Sequence, residues 1–318
     1  MFQTKGEIKV VPDIILEAWL SLQELDIWIR LGLSAIFLVL LLILSFWQRT
    51  NLEGKLLWSF LRGIIQVIIF GLVLGVLFAL EKMWVLYLVL LVMCLFAAFT
   101  NYQSYPYPRV FLISLLSITS TSLAIMTLAI YSGSFSFFEG IIPEMNGEYI
   151  IPMGSMVIAF AMRVSGIALE RVKSDIMKMQ GTIEAALILG DSPTNAIRFI
   201  LRDSYRAGLI PTINRVAVLG IVTIPGLMAG MIIGGVPPIE AAIYQVVIFL
   251  MLLLGSFSSS IITNYLFIKQ FFTKDQQFDL EFLNKMHQIE DDLKNLRLIE
   301  RWKKISKIGK KRERKKKI

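Results

Sequence analysis

Hydrophobic residues are gathered along this chain into long runs, and the polar residues fall in the short stretches between them. The runs cover residues 31–47, 63–80, 83–99, 110–131, 149–169, 213–234 and 239–268. Each is close to the ~20 apolar residues a helix needs to cross a bilayer, since a rise of ~1.5 Å per residue must span ~30 Å of hydrocarbon. The pattern predicts an all-α, polytopic transmembrane helical bundle of about seven spans over 31–268. Two flanking segments differ. Residues 1–30 set Asp13, Glu17, Glu24 and Asp26 among Ile14, Ile15, Leu16, Trp19, Leu20, Leu22 and Leu25. That spacing suits either an amphipathic helix at the membrane interface or a loosely ordered leader with one apolar face. In the tail, 269–318, Phe282, Met286, Ile289, Leu293 and Leu296 step by four, three, four and three. They predict a tail helix that either pairs with a second copy or lies on the inner leaflet.

Composition agrees with a membrane protein: 56% of the 318 residues are hydrophobic and the mean hydropathy is +0.67. Charge then orients the bundle. Segment 269–318 holds sixteen Lys and Arg and 170–215 holds seven, while Arg49, Lys55, Arg62 and Arg109 lie in loops on the same side. Loop 132–148 has no basic residue and carries Glu139, Glu144 and Glu148. The positive-inside rule therefore puts the C-terminus in the cytoplasm, and an odd number of spans leaves the N-terminus outside. Lys5, Lys9 and Arg30 run against that arrangement. The basic run 303–317 suits membrane lipid as a partner and not nucleic acid. Residues 1–30 lack a basic start followed by a short apolar core, so no cleavable leader is expected. The lone Cys94 allows no disulfide within the chain.

The charged break at 170–214 is the most informative stretch. Apolar runs flank it, so it is a cytoplasmic loop held against the membrane. Residues 182–189 are good helix formers, and Gly190 can take the left-handed conformation that ends a helix. Asp191 or Ser192 can then cap a second helix that begins at Pro193, where a missing N–H does no harm. Helix, glycine corner and helix make a knuckle on which another protein could push. Beyond it, Arg198, Arg202 and Arg206 form one basic stripe, aimed at acidic protein residues or at lipid phosphates.

The chain carries little chemistry of its own. No G-x-x-x-x-G-K-[ST] loop is present, and the single histidine, His287, lies in the tail, away from any metal-ligand or nucleophile pattern. Glu81, Glu170 and Glu240 sit at span ends, whereas proton-coupled carriers need carboxylates at depth. An energy source outside this chain is the better expectation.

Glu184-Ala185-Ala186, Gly190, Asp191, Ser192 and Pro193, read together as EAALILGDSP, resemble the EAA loop of ABC transporter permeases, the coupling helix that docks on an ATPase subunit. The stretches GLIPTINRVAVLGIVTIPGLMAGMIIGG (208–235) and IEAAIYQVVIFL (239–250) further resemble the FetB-type permease family, bacterial iron exporters with plant aluminium-tolerance relatives. Residues 57–66, with Arg62 and Gln66, look similar to that family's second-span entry. The resemblance implies a non-enzymatic permease subunit of the cell inner (plasma) membrane, a homodimer, exporting iron or another metal ion. Its ATPase is a separate partner that binds ATP and Mg, so no cofactor is expected in this chain. Two departures bear on the cargo. Ala159-Phe160 stands where the family carries Gly-Asn, and Met231 stands near a family glutamine. An ABC permease for a nucleotide-sugar, lipid or amphiphile therefore stays open, as do an ATP-independent channel or carrier and a scaffold that recruits partners through its tail.

Polar residues within the runs complete the candidate list. Arg163 lies within about 10 Å of Glu170 along its helix, close enough to reach the interface or touch cargo. Asn214 follows Pro211 and either bonds across the mouth of the path or satisfies carbonyls that the proline frees. Pro225-Gly226 predicts a kink, static or hinged. Gln245 lies in the last span. Met156 and Met162, with Met153, Met228 and Met231, are soft donors or packing residues. The expected organisation is an extracytoplasmic segment 1–30, a permease domain 31–268 coupled through 170–214, and a basic cytoplasmic tail 269–318.

Overall fold

The computed structural model describes residues 27–48, 50, 52–78, 82–133, 147–273, 275–289 and 291. The described chain folds into helices α1 (Ile27–Trp47), α2 (Glu53–Phe78), α3 (Met83–Ser104), α4 (Val110–Tyr131) and α5 (Gly147–Lys178). Then come α6 (Gln180–Ile188), α7 (Pro193–Ala196), α8 (Arg198–Ala217), α9 (Gly226–Ile233) and α10 (Pro238–Ile268), and residues 280–289 are helical as well. Among the described residues there are no strands, only isolated bridges of Leu219 with Thr223 and Phe272 with Phe278. The fold is all-α. Segment 1–26, loop 134–146 and the basic run 303–317 lie outside the described residues.

Among the described residues five helices are long and apolar enough to cross a membrane: Leu56–Gly75, Met83–Ser104, Val110–Tyr131, Tyr149–Lys178 and Pro238–Ile268, with a shorter apolar stretch at Ala35–Trp47. The run 110–131 is found with its expected bounds. Run 149–169 extends through Lys178 as one helix. Run 213–234 is not one helix. It is the end of α8, a turn through 218–225, and α9, whose eight residues rise only ~12 Å. The break has local causes: Gly220 takes φ +76°, and Pro225, with no N–H, stands as the N-cap of α9. The expected kink at Pro225-Gly226 is thus a complete interruption.

Chain contacts divide the molecule into Met1–Val76 and Leu77–Ile318. In the first unit the α1–α2 corner is tied by Ser45, whose hydroxyl bonds with that of Thr50 and donates to Glu53 Oε1 at 3.3 Å. Its helices show apolar side chains such as Phe37, Leu40, Ile65 and Leu72 on the outside, as lipid-facing helices do.

In the second unit α10 packs along α5, with α4 and α8 on its other sides. The contact seam is built from small and hydroxyl-bearing residues, which is how helices approach closely where water gives no hydrophobic drive. Gly255 of α10 is one: a Cβ there would sit 3.1 Å from Val157 Cγ1 of α5 and 3.3 Å from Ile125 Cδ1 of α4. Thr263 Oγ1 donates to Ser117 Oγ at 2.8 Å, and Asn264 Nδ2 donates to Ser204 Oγ at 3.0 Å. Ser204 Oγ in turn reaches the Ala168 carbonyl at 3.3 Å. Asn101 joins three helices, donating to Ser165 Oγ at 3.0 Å, the Met162 carbonyl at 3.2 Å and Ser114 Oγ at 3.4 Å.

Asn101→Leu is expected to lower the stability of the bundle by about 1 kcal/mol, the scale of interhelical hydrogen bonds in membranes. The check is the midpoint of an SDS titration of detergent-solubilised protein. An unchanged midpoint would assign the α3–α4–α5 contact to apolar packing alone.

Candidate functional site: the knuckle and the helix that leaves it

The knuckle forms as its residues dictate. Helix α6 ends in a paired cap: Gly190 N–H bonds to the Leu187 carbonyl and Asp191 N–H to the Ala186 carbonyl, both at 3.0 Å. This pairing needs a left-handed residue between them, and Gly190 supplies it at φ +91°. Asp191 Oδ1 accepts from the Ser192 N–H at 2.9 Å. Ser192 is the cap of α7, its Oγ accepting from the Asn195 N–H at 3.4 Å, and Pro193 is the first residue of that helix. The N-terminal end of α6 departs from expectation, since it begins at Gln180 and its N-cap, Met179, makes no side-chain bond. Glu184 is half-buried and accepts from Gln180 Nε2 at 2.8 Å, one turn back. Ala185 is exposed, and Ala186 packs inward.

Helices of nine and four residues have no stability of their own. What holds them is an apolar core at the end of the bundle. Leu169, Val172 and Ile176 of α5 meet Ile183, Ala196, Ile197 and Ile200 of the knuckle and α8, and Phe267 and Ile268 of α10 close it with Phe271 from the turn that follows. Burying each such side chain away from water is worth roughly 1.5–3 kcal/mol, far more than the propensity of either short helix. Aromatic rings bind the layer together, Tyr107–Phe267 at 6.3 Å, Phe267–Phe271 at 5.3 Å and Phe271–Phe282 at 4.9 Å, the last two edge-on. Tyr107 Oη also donates to Glu170 Oε2 at 3.0 Å, and burial followed by the Glu170 charge holds the neighbouring Tyr105 phenol above its usual range.

The tail completes this core. Asp279 Oδ1 accepts from the Phe282 N–H at 3.0 Å and starts the 280–289 helix, whose Leu283 and Met286 are fully inside. Phe282 and Ile289 pack against the same layer. The expectation of a pairing or leaflet-bound tail helix is therefore corrected over 280–289: its stripe is spent within the chain. Leu293 and Leu296 lie outside the described residues.

Two surfaces result. At the tip, Ile188 is 85% and Leu189 87% exposed, a bare apolar point on a polar loop. Beside it Glu184, Gly190 and Asp191 line a concavity of about 470 Å³ with Asp275, Gln276, Gln277 and Phe278. The 275–278 wall comes from the tail, and sequence reading missed it because nothing local links it to the knuckle. Around the corner, Arg198, Arg202 and Arg206 lie along a groove of about 850 Å³ with Phe199, Tyr205, Leu209, Ile210, Ile213 and Phe257. The stripe is real, and its groove is otherwise apolar.

From the knuckle α8 runs antiparallel to α5, as the Ser204–Ala168 bond and the Gly208–Val164 approach (2.9 Å from a Cβ) require. Pro211 lies inside α8 and Asn214 is exposed near its end. Arg163 is also exposed, its guanidinium carbon 4.8 Å from the Phe160 ring centroid. Arg215, counted in the sequence among the loop charges, has its own 5.6 Å from the same ring. An arginine at mid-membrane costs about 2.5–3.5 kcal/mol on insertion scales, and an aromatic face returns about 0.5–2. The ring alone does not balance two of them. Gln245 is buried on α10 with its Oε1 unbonded; Met156 and Met162 are half-buried on α5, and Met228 and Met231 on α9. Among the described residues no three His, Cys, Asp or Glu gather as a metal cluster.

A profile described as an uncharacterised protein family (UPF0014) matches residues 28–272. The chain is 32% identical over 256 residues to the probable iron export permease protein FetB of Escherichia coli (strain K12), covering 80% of this chain and 96% of that one. It is 34% identical over 232 residues to the UPF0014 membrane protein STAR2 of Oryza sativa subsp. japonica, covering 72% and 78%. Protein ALUMINUM SENSITIVE 3 of Arabidopsis thaliana is 32% identical over 246 residues, 77% of this chain and 87% of that one. No solved structure matches the chain. Its apolar helices and these membrane relatives make it a multi-pass membrane protein.

Gly190→Ala should strain the left-handed corner by about 1–2 kcal/mol. Gly181→Ala, in helical backbone with open space around the added carbon, should be neutral or mildly stabilising. Hydrogen exchange across 186–192 reads both: faster exchange in the first variant only is the expected outcome.

Proposed function

The chain belongs to the uncharacterised protein family UPF0014, and from that premise we propose that it is the membrane-spanning subunit of an ATP-driven exporter of iron or another metal ion. The name of the Escherichia coli relative, a probable iron export permease, supports the cargo and the direction. The observation that carries the coupling is the knuckle: a bare apolar tip at Ile188-Leu189 set on a core that is continuous with the ends of α5 and α10. A tip that exposed is unfavourable in water unless a partner covers it. The partner we propose is a separate ATPase subunit, which binds ATP and Mg, with two permease chains and two ATPases in the cell inner membrane.

In this mechanism the closing ATPase pair pushes the knuckle as one body, because Ile183 and Ile197 are locked beneath it. The push travels along α8, which is tied to α5 by the Ser204–Ala168 bond. Pro211 within α8 and the interruption at 218–225 are where the backbone yields, so the path between the helices opens to alternate sides. The chain itself makes and breaks no covalent bond.

Co-purification from membranes in mild detergent tests the reading, with ATP hydrolysis measured with and without Fe(II). Leu189→Asp and Gly190→Pro are expected to release the ATPase, and Leu189→Asp should do so without lowering thermal stability, since the side chain is exposed. If the chain purified alone, or if both variants kept the ATPase and transport, the coupling would be wrong and passive conduction would be the reading to test.

A further inference from the structure

Arg163 and Arg215 come from different helices, fifty-two positions apart in the sequence, and converge on one ring. Counted from Glu170, where α5 turns charged, Phe160 lies about 15 Å into the helix, half of a ~30 Å hydrocarbon layer. Neither arginine forms an ion pair among the described residues, whereas Arg171, nearer the end of α5, pairs with Asp175 at 2.8 Å. Both side chains are exposed on the second unit. Two positive charges thus share one exposed surface on α5 and α8, with the Phe160 ring beside them and no acidic partner among the described residues. A bare cation arriving there would be repelled by both. An oxyanion would be drawn to both, and each planar guanidinium can grip carboxylate or phosphate oxygens two at a time.

We propose that Arg163 and Arg215 form the cargo site and that the cargo presents carboxylate or phosphate oxygens to it, so that any metal moves as an anionic complex. The inference rests on the permease reading for the word cargo, but its test needs no ATPase. Full-length chain in phosphatidylcholine nanodiscs is titrated with citrate, ferric citrate, inorganic phosphate and, anaerobically, Fe(II) alone, following heat and melting temperature. A parallel sample in discs containing phosphatidylglycerol is read by native mass spectrometry for retained lipid.

The expected result is oxyanion binding that weakens at least tenfold in Arg163→Gln and in Arg215→Gln. Arg163→Lys and Arg215→Lys, which keep the charge, should bind more tightly than the glutamine variants, which separates lost charge from lost fold. If soluble anions do not bind but phosphatidylglycerol is retained by the wild type and lost from both glutamine variants, the oxyanion is a lipid headgroup at the same site. Oxyanion binding untouched by both glutamine substitutions, no binding of any probe, or Fe(II) alone bound where the anions are not, would overturn the proposal. Each of those outcomes leaves the co-purification result standing, and loss of the ATPase leaves the binding result standing.

Discussion

Everything at the working end of this molecule depends on one apolar core lying where the membrane bundle ends. Ile183 and Ile197 bring the knuckle to it, Leu169, Val172 and Ile176 bring α5, Phe267 and Ile268 bring α10, and Phe271, Leu283 and Met286 bring the tail. The membrane interior offers no comparable drive, because lipid tails are as apolar as leucine. Water-exposed burial is therefore concentrated in this layer, and it converts two helices too short to stand alone into a fixed part of the bundle. Within the lipid a different chemistry takes over. Small residues and hydroxyls let α4, α5, α8 and α10 approach closely, with Asn101 and Asn264 as the bonded cross-links.

These two regimes divide the labour. The core at the end of the bundle holds the knuckle against α5 and α10, and the polar seam registers α8 against α5. Where α8 stops, at Ala217, the backbone is interrupted and α9 starts afresh at Gly226. The helical part of the connection thus begins at the knuckle and ends near Arg215, beside Phe160.

How much of this could be read from the residues follows from what each signal measures. Length and hydropathy located the run 110–131 to the residue, since a buried span has little else to encode. They failed at 213–234, because an apolar run says where lipid is tolerated and not whether the backbone is continuous; Pro225-Gly226 was visible, but Gly220 was needed to turn a kink into a break. The Gly190 corner was legible because its chemistry is local. The tail stripe at Phe282, Met286 and Ile289 was legible as a helix and misread as an interface, since a heptad pattern is the same whichever apolar surface it meets. Arg215 was read as a loop charge because nothing local ties it to Phe160; only α8 lying along α5 sets the two side by side.

The tail's part in the core has a consequence for how the protein is made. Ile183, Ile197 and Phe271 leave the ribosome before Leu283 and Met286, and among the described residues every helix long and apolar enough to span the membrane precedes those two residues. The layer under the knuckle cannot close until the last of them has been synthesised. Biogenesis is thereby ordered by the chain itself: the exposed Ile188-Leu189 tip becomes firm only when the helices behind it are complete.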